Sequence, residues 1–324
     1  MKTKKAALLM FLSLFAILNV SMAAEPAYPT KPIEIIVGYA PGAFTDLASR
    51  KIAEDAKKYL GQEVIVSNKP GGGGRVGMTL VSKAKPDGYV LGAVTDSSVI
   101  LLPFLEKVPY KPLEDFTFIS HTGTIDFAVL VMQDSPFKTF KDMMDFARAN
   151  PDKLTISTVG VGTTNHVAFE ALSRLEGLKI KLVPFPGAAP AMTALLGGHV
   201  MVASTGASGY ALHLKAKTVR LLAVMSEERF DEYPDAPTLK ELAYPLVFQS
   251  WHIIFGPRNM DKAIVKKLSD VFGRTINSPD FIKFAQGLDT WAKKPLSGDE
   301  LTEGIIQRSK KNEELFRKLG MGIK

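Results

Sequence analysis

Short runs of apolar and β-branched residues alternate with amphipathic stretches along most of the chain. The runs have the length and composition of buried strands, while the stretches between them carry apolar residues at helical spacing. The pattern predicts strands at residues 33–37, 63–67, 89–95, 116–120, 127–132, 154–158, 180–185, 199–203, 219–225 and 248–255. It predicts helices at 45–60, 140–149 and 188–196, another from about 165, and a mostly helical chain from 261 onward.

This alternation of strand and helix is typical of α/β domains, in which mostly parallel sheets are covered by helices. A chain of 324 residues is long enough for two such domains of roughly 100–200 residues each. The sequence shows no internal repeat and no low-complexity linker, so we expect short strands, and not a flexible tether, to join the domains.

The first 23 residues have the three parts of a secretory signal peptide: a basic start, an apolar run of about 15 residues, and small residues before a cut after Ala23. A membrane anchor is the alternative, but spanning a bilayer takes roughly 20 apolar residues. Cleavage removes Lys2, Lys4 and Lys5 and takes the formal charge from +7 to +4. The remaining charge does not indicate a nucleic-acid or membrane partner.

The sequence contains no cysteine. This excludes disulfides, thiolate metal sites, cysteine nucleophiles and thioether-linked lipid anchors. No segment after the signal peptide is apolar and long enough to span a membrane. We therefore expect a mature protein that is soluble in the periplasm and not lipid-anchored.

Three strand-to-helix turns, at 39–46, 158–166 and 184–190, are candidate ligand sites. Open α/β sheets bind ligands at such turns, because the free N–H groups and the dipole of a helix N-terminus attract anions. In the first turn we expect Thr45 to be the N-cap and Asp46 to interact with the helix dipole. The predicted ligand-binding residues are Tyr39, Gly42, Ala43, Phe44, Thr45, Asp46, Ser97, Thr163, Thr164, Asn165, His166, Gly187 and Ala188.

A fourth turn, at 72–77, fits the G-x-G-x-x-G pattern and has Asp96 19 residues beyond it, as a dinucleotide-binding motif would. Its context differs from that of the motif, because Pro70 and four consecutive glycines make a longer turn outside the first βα unit. An exported protein also meets no pool of NAD. We therefore predict no dinucleotide cofactor and interpret this turn as a flexible surface loop beside the cleft.

Catalytic patterns are scarce. The five histidines show no H-E-x-x-H spacing, so we predict no metal site. Ser208 lacks the first glycine of a nucleophile elbow. We predict no catalytic residue and no cofactor, the alternative being a periplasmic hydrolase or isomerase that uses His166 and Asp46.

A series of motifs follows in order along the chain: Pro41-Gly42 before Thr45-Asp46, Asn68-Lys69-Pro70-Gly71, Lys85-Pro86-Asp87-Gly88-Tyr89, Gly187-Ala188-Ala189-Pro190-Ala191, Leu195-Leu196-Gly197-Gly198 and Pro234-Asp235-Ala236-Pro237-Thr238. Together they resemble the TctC family of tripartite tricarboxylate transporter receptors, also called Bug proteins. The resemblance covers almost the whole of the predicted mature chain.

The resemblance implies a two-domain periplasmic binding-protein fold, type II-like, in which each domain is a mostly parallel sheet with flanking helices. We expect one domain at 28–124 plus 229–324 and the other at 125–228, with the ligand cleft between them. The resemblance further implies a monomer without catalysis that delivers a small carboxylate to the permease subunits of the transporter. A ligand sensor for a two-component system is an alternative, because sensing and transport use the same closing motion.

Three departures from the family pattern concern the ligand. Ala43-Phe44 replaces a glycine-rich turn, Met201 stands where relatives commonly have Asp, and residues 163–165 replace a segment that often contains Ser and Pro. Among dicarboxylates, tricarboxylates and aromatic carboxylates, Phe44 and Met201 favour a less polar or aromatic ligand. Phe44 has two interpretations, a wall of the pocket or a side chain packed on its own domain.

Overall fold

The computed structural model describes residues 28–244, 246–288, 290 and 294–322; the predicted signal peptide lies outside them. The strands in the described part are β1 (Ile33–Val37), β2 (Val64–Asn68), β3 (Val90–Thr95), β4 (Phe116–Asp126), β5 (Ala128–Met132), β6 (Thr155–Thr158), β7 (Lys181–Pro184), β8 (Val202–Thr205), β9 (Val219–Val224) and β10 (Gln249–Pro257). The helices are α1 (Phe44–Leu60), α2 (Arg75–Ser82), α3 (Ser97–Ile100), α4 (Leu102–Leu105), α5 (Phe140–Ala149), α6 (Thr164–Glu176), α7 (Ala188–Leu196), α8 (Ala207–Lys215), α9 (Lys262–Ile276), α10 (Pro279–Gln286) and α11 (Gly298–Leu319).

Two five-stranded sheets share one topology. The first has the order β2-β1-β3-β10-β4 and the second has the order β7-β6-β8-β5-β9. In each sheet four strands point the same way, and the inserted strand, β10 or β5, runs antiparallel to both of its neighbours. The predicted fold class is confirmed. We call the sheet containing β1 and its helices the first lobe, and the sheet containing β5 and its helices the second lobe.

The chain passes between the lobes twice, first through a single residue and later through the segment 225–248. β4 leads into β5 through Phe127 alone, and the segment after β9 returns to β10. The two passages are bonded to each other, because the Met225 N–H donates to the Phe127 carbonyl and the Phe248 N–H donates to the Met225 carbonyl, both at 2.8 Å. The first sheet thus takes strands from 33–126 and 249–257 and the second from 128–224. The exact domain boundaries stay a prediction.

Two predicted elements differ from the observed ones. β4 continues from Ser120 to Asp126, because pairing with β10 buries a polar segment that the apolar pattern did not assign to a strand. β8 begins at Val202 and not at His199, whose N–H still bonds to the carbonyl of Ala194 in α7. The helices α2, α3 and α4 of the first lobe and α8, which follows β8, were not predicted.

A buried ion pair attaches the C-terminal helix to the centre of the first lobe. Asp96, fully buried at the end of β3, accepts a hydrogen bond from Arg308 Nε of α11 at 2.7 Å and another from the Trp251 N–H at 3.0 Å. The Arg308 guanidinium lies 4.5 Å above the Trp251 ring and donates to the Gln249 carbonyl. Asp96 is therefore committed to the fold and is not placed to hold a ribose.

We predict that Arg308→Ala lowers the free energy of unfolding by about 3–5 kcal/mol, because the variant leaves the Asp96 carboxylate buried without its cationic partner. Arg317→Ala, an exposed change on the same helix, is the control and should cost no more than about 0.5 kcal/mol. Urea unfolding followed by circular dichroism measures both. Equal stabilities for the two variants would contradict the assignment.

Candidate functional site

Four helix N-termini meet at a cleft between the lobes. α1 comes from the first lobe, and α6, α7 and α8 come from the second. The cleft is narrow, with a cavity volume of about 40 Å³. Its lining residues are Tyr39, Ala43, Phe44, Thr45, Thr95, Ile125, Phe127, Val159, Thr163, Gly187, Ala188, Gly206 and Ser208.

None of the four helices at the cleft has a side-chain N-cap. Their N-cap residues are Ala43, Thr163, Gly187 and Gly206, and none of these side chains accepts a hydrogen bond from its helix. Helices α5, α9 and α10, which begin elsewhere, are capped by side chains, whereas α2 and α11 are not. Because the first N–H groups of a helix have no partner within it, the cleft is supplied with backbone donors.

The cleft contains donors but no charge. Among the described residues that line it, none has an ionisable acidic or basic side chain apart from the Tyr39 phenol. Tyr39 Oη shares a hydrogen bond of 2.6 Å with Thr95 Oγ1, which shares one of 2.7 Å with Ser97 Oγ. An anion in this cleft would therefore be stabilised by N–H groups, hydroxyls and helix dipoles.

Seven predicted site residues line the cleft: Tyr39, Ala43, Phe44, Thr45, Thr163, Gly187 and Ala188. The prediction of Thr45 as N-cap is wrong. Ala43 has the extended backbone of an N-cap, with φ −71° and ψ 157°, so α1 begins at Phe44 and Thr45 lies inside its first turn. The Thr45 side chain is then free to line the cleft.

Asp46 and Gly42 do not line the cleft. The Asp46 carboxylate accepts hydrogen bonds from the Gly42 N–H at 3.0 Å, Arg50 Nε at 2.9 Å and Asn68 Nδ2 at 2.9 Å. Burial alone would raise the pKa of Asp46, but these hydrogen bonds and the Arg50 charge outweigh it and lower the pKa. Asp46 thus fixes the loop that leads into α1 and is not free to act as a base.

Thr164 and Asn165 also lie outside the cleft lining. Thr164 Oγ1 bonds to Ser250 Oγ of β10 and so connects α6 to the first lobe. Asn165 Nδ2 donates to the Ser204 carbonyl at 2.6 Å, and its Oδ1 accepts from Thr163 Oγ1 at 2.9 Å. These two side chains hold the N-terminus of α6 in place.

The side chains of His166 and Ser97 form their hydrogen bonds within their own lobes. His166 Nδ1 lies 3.0 Å from Thr158 Oγ1, and its Nε2 lies 3.5 Å from a Glu170 carboxylate oxygen. Ser97 reaches the cleft only through its bond to Thr95. The structure does not bring His166 together with Asp46 in the cleft, so it does not support the hydrolase alternative.

The glycine run is not the flexible surface loop that we predicted. Gly73 and Gly74 are buried in a 3-10 turn that leads into α2. The Gly73 carbonyl accepts hydrogen bonds from Ser98 Oγ at 2.7 Å and from Tyr39 Oη at 3.3 Å. The glycines have no side chain, so the backbone of the turn can approach its neighbours closely enough for these bonds to form. The bonds then hold the turn in place.

Phe44 fits both interpretations, as a wall of the cleft and as a side chain packed on its own domain. Met201 does not lie where it could select the ligand. The Phe44 ring lines the cleft and is also packed edge-on against His252, with centroids 5.6 Å apart, and stacked against Phe284 at 6.4 Å. Met201 is half-buried beside Thr155, whose side chain and carbonyl accept from its N–H, and does not line the cleft.

Six lining residues were not predicted: Thr95, Ile125, Phe127, Val159, Gly206 and Ser208. Gly206 and Ser208 had a recognisable signal, because they open a helix directly after a strand, as the other turns do. Ile125 and Phe127 lie where the chain passes between the lobes, which no local pattern marks.

Two buried histidines lie behind the Phe44 ring. Burial lowers the pKa of His252 to about 3, aided by neighbouring His121, and lowers the pKa of His121 to about 4. His252 Nδ1 bonds to Thr122 Oγ1, and His121 stacks on Trp251. Within the described part of the chain, His121 Nδ1 and His252 Nε2 have no hydrogen-bond partner. Both rings are therefore neutral at physiological pH, and the wall behind Phe44 is uncharged.

The comparisons with known proteins give one family. A model described as the tripartite tricarboxylate transporter family receptor, TctC, matches residues 48–321. The chain is 35% identical over 309 residues to the UPF0065 protein in the gbd 5′ region of Cupriavidus necator, with 93% of each chain covered.

Two solved structures are similar over their whole length. The periplasmic binding protein BugD is 28% identical with a TM-score of 0.84, and the match covers 91% of this chain and 99% of that one. MatC from Rhodopseudomonas palustris, solved with bound malate, is 25% identical with a TM-score of 0.81, and the match covers 89% and 99%.

We predict that the free energy of unfolding falls as the pH drops from about 6.5, the usual histidine pKa, toward the folded pKa values of about 4 and 3. The unfolded chain binds protons in that range that His121 and His252 cannot bind in the fold. Urea unfolding at pH 7.5 and 4.5 measures the loss. His121→Gln with His252→Gln should reduce it, and exposed His199→Gln should not. An unchanged pH dependence in the double variant would exclude this origin.

Proposed function

Because the chain belongs to the tripartite tricarboxylate transporter receptor family, as its motifs predicted, we propose that it captures one small organic carboxylate in the cleft between its lobes. The family consists of receptors, so the chain is a binding protein and not an enzyme. The observation that carries the proposal is the meeting of four helix N-termini without side-chain caps at an uncharged cleft.

Capture takes place by closure of the lobes around the ligand. The two passages are hydrogen-bonded to each other at Phe127, Met225 and Phe248, which supports a rotation confined to this region. α1 on one lobe and α6, α7 and α8 on the other would then approach the carboxylate from two sides. Closure also removes the ligand from water, which strengthens each of these hydrogen bonds.

The receptor works in the periplasm as a monomer and delivers its ligand to the membrane permease subunits of a tripartite tricarboxylate transporter. Family membership supports this role. The predicted signal peptide would provide export. Among the described residues no helix is long and apolar enough to cross a membrane.

The ligand is a carboxylate with an apolar or aromatic body. Phe44, Ile125, Phe127 and Val159 line the cleft beside the donors, and a second or third carboxylate would find no cationic side chain among the described lining residues. MatC, which is similar in fold and sequence, was solved with malate. Malate therefore belongs in the test as the polar comparison.

A thermal-shift panel of carboxylates tests the ligand class. A ligand at 100 times its Kd should add about 2.7 kcal/mol to stability. We expect benzoate-like and branched aliphatic carboxylates to raise Tm more than malate or citrate, and Phe44→Ala to reduce that difference. No shift with any carboxylate would refute the proposal, and a preference for citrate would refute the ligand class alone.

Removal of one backbone donor tests the mode of binding. Ala207 is the first residue of α8, and Gly206 before it has φ −80° and ψ 173°, which suits a following proline. Ala207→Pro should weaken carboxylate binding by roughly 10- to 100-fold, the effect of one charge-assisted hydrogen bond. Lys262→Pro, at the same position of the capped helix α9, is the control and should leave affinity unchanged. Titration calorimetry measures both, and equal affinities would exclude the α8 donor.

A further inference from the structure

The turn at Gly71–Gly74 in the first lobe meets the second lobe backbone to backbone. A Cβ on Gly73 would overlap the carbonyl oxygen of Val161, which lies in the loop between β6 and α6. From the other side, a Cβ on Gly160 would lie 3.6 Å from the Cα of Gly73. No side chain fits between the lobes at Gly73, and the Val161 carbonyl cannot rotate away as a flexible side chain could.

Two further contacts join the lobes near the approach of Gly73 to Val161. The Ala40 N–H donates to the Pro186 carbonyl at 3.4 Å. A Cβ on Gly162 would overlap the Leu102 side chain. These contacts join the β1–α1 loop and α4 of the first lobe to the loops before α6 and α7 of the second. The lobes therefore touch along the strand ends from which the four cleft helices begin.

The Gly73 contact is linked to the cleft by hydrogen bonds. Tyr39 lines the cleft and donates from Oη to the Gly73 carbonyl, and Ser98 Oγ donates to the same oxygen. Tyr39 also bonds to Thr95, another lining residue. The position of the glycine turn is thus fixed by the same side chains that shape the cleft.

We propose that Gly73 is a closing contact: the absence of a side chain there lets the lobes come together, and ligand affinity depends on it. This assigns a role to the glycine run, for which we predicted no dinucleotide. The inference rests on the proposed capture of a ligand by closure. It adds that a residue outside the cleft lining controls how far the lobes close.

The test measures the distance between the lobes. The natural chain has no cysteine, so Lys83→Cys in the first lobe and Thr193→Cys in the second, both exposed, give two unique spin-label positions. Pulsed electron paramagnetic resonance measures the distribution of distances between the two spin labels, with and without benzoate and malate. The variant is Gly73→Ala, and the matched control is Gly177→Ala. Gly73 and Gly177 have φ of +59° and +64°, and Gly177 has no atom within 4 Å of an added Cβ.

Both variants carry the same backbone strain, so both should lose a similar amount of thermal stability. Only Gly73→Ala should remove the short-distance population and weaken carboxylate affinity by about tenfold or more. If a carboxylate shortens the distance equally in the natural chain and in Gly73→Ala, the closing contact is refuted while capture by closure stands. If no carboxylate acts on the natural chain, the proposed function fails. The ligand-free distributions then decide the contact: a smaller short-distance fraction in Gly73→Ala supports it, and equal fractions refute it.

Discussion

Each sheet contains one inserted antiparallel strand, and the cleft depends on where these strands let the chain change sheets. β10 enters the first sheet beside β3, and β5 enters the second beside β8. Because β5 follows β4 after a single residue, the two sheets cannot drift apart as domains on a flexible linker could. Their strand ends face a common space, and the helices that follow those strands begin there. The cleft is a consequence of where the chain changes sheets.

The cleft is uncharged, and the buried charged side chains lie outside its lining. Within the described residues, the cleft lining carries no acidic or basic side chain, and the histidines behind it are neutral because burial disfavours their charged form. Buried carboxylates lie instead outside the lining, in the Asp46–Arg50 pair and in the Asp96–Arg308 pair that attaches α11 to β3 and β10. Attraction for an anion in the cleft would therefore come from backbone dipoles, whose direction is set by the fold and does not change with pH.

The sequence predicted the parts of the site that are local. The alternation of strand and helix gave the fold class, and the turns before α1, α6 and α7 placed Ala43, Thr163 and Gly187 at the cleft. It could not tell which side chains of a helix's first turn face the ligand, so Thr164 and His166, which are bonded elsewhere, were also predicted. The turn before α8 was missed because it was considered only as a nucleophile elbow. Ile125 and Phe127 reach the cleft through the tertiary path of the chain, which sequence spacing does not show.

The insertion of β10 into the first sheet also fixes an order of assembly. The second sheet is built from one continuous stretch, 128–224, so all its strands are available once that stretch of chain is free to fold. The first sheet has its centre occupied by β10 and cannot be complete until residue 257 has arrived, and its Asp96 stays unpaired until Arg308 follows. The lobe that begins first along the chain is therefore the lobe that finishes last. Until then β3 and β4 have open edges in the compartment where the protein must fold.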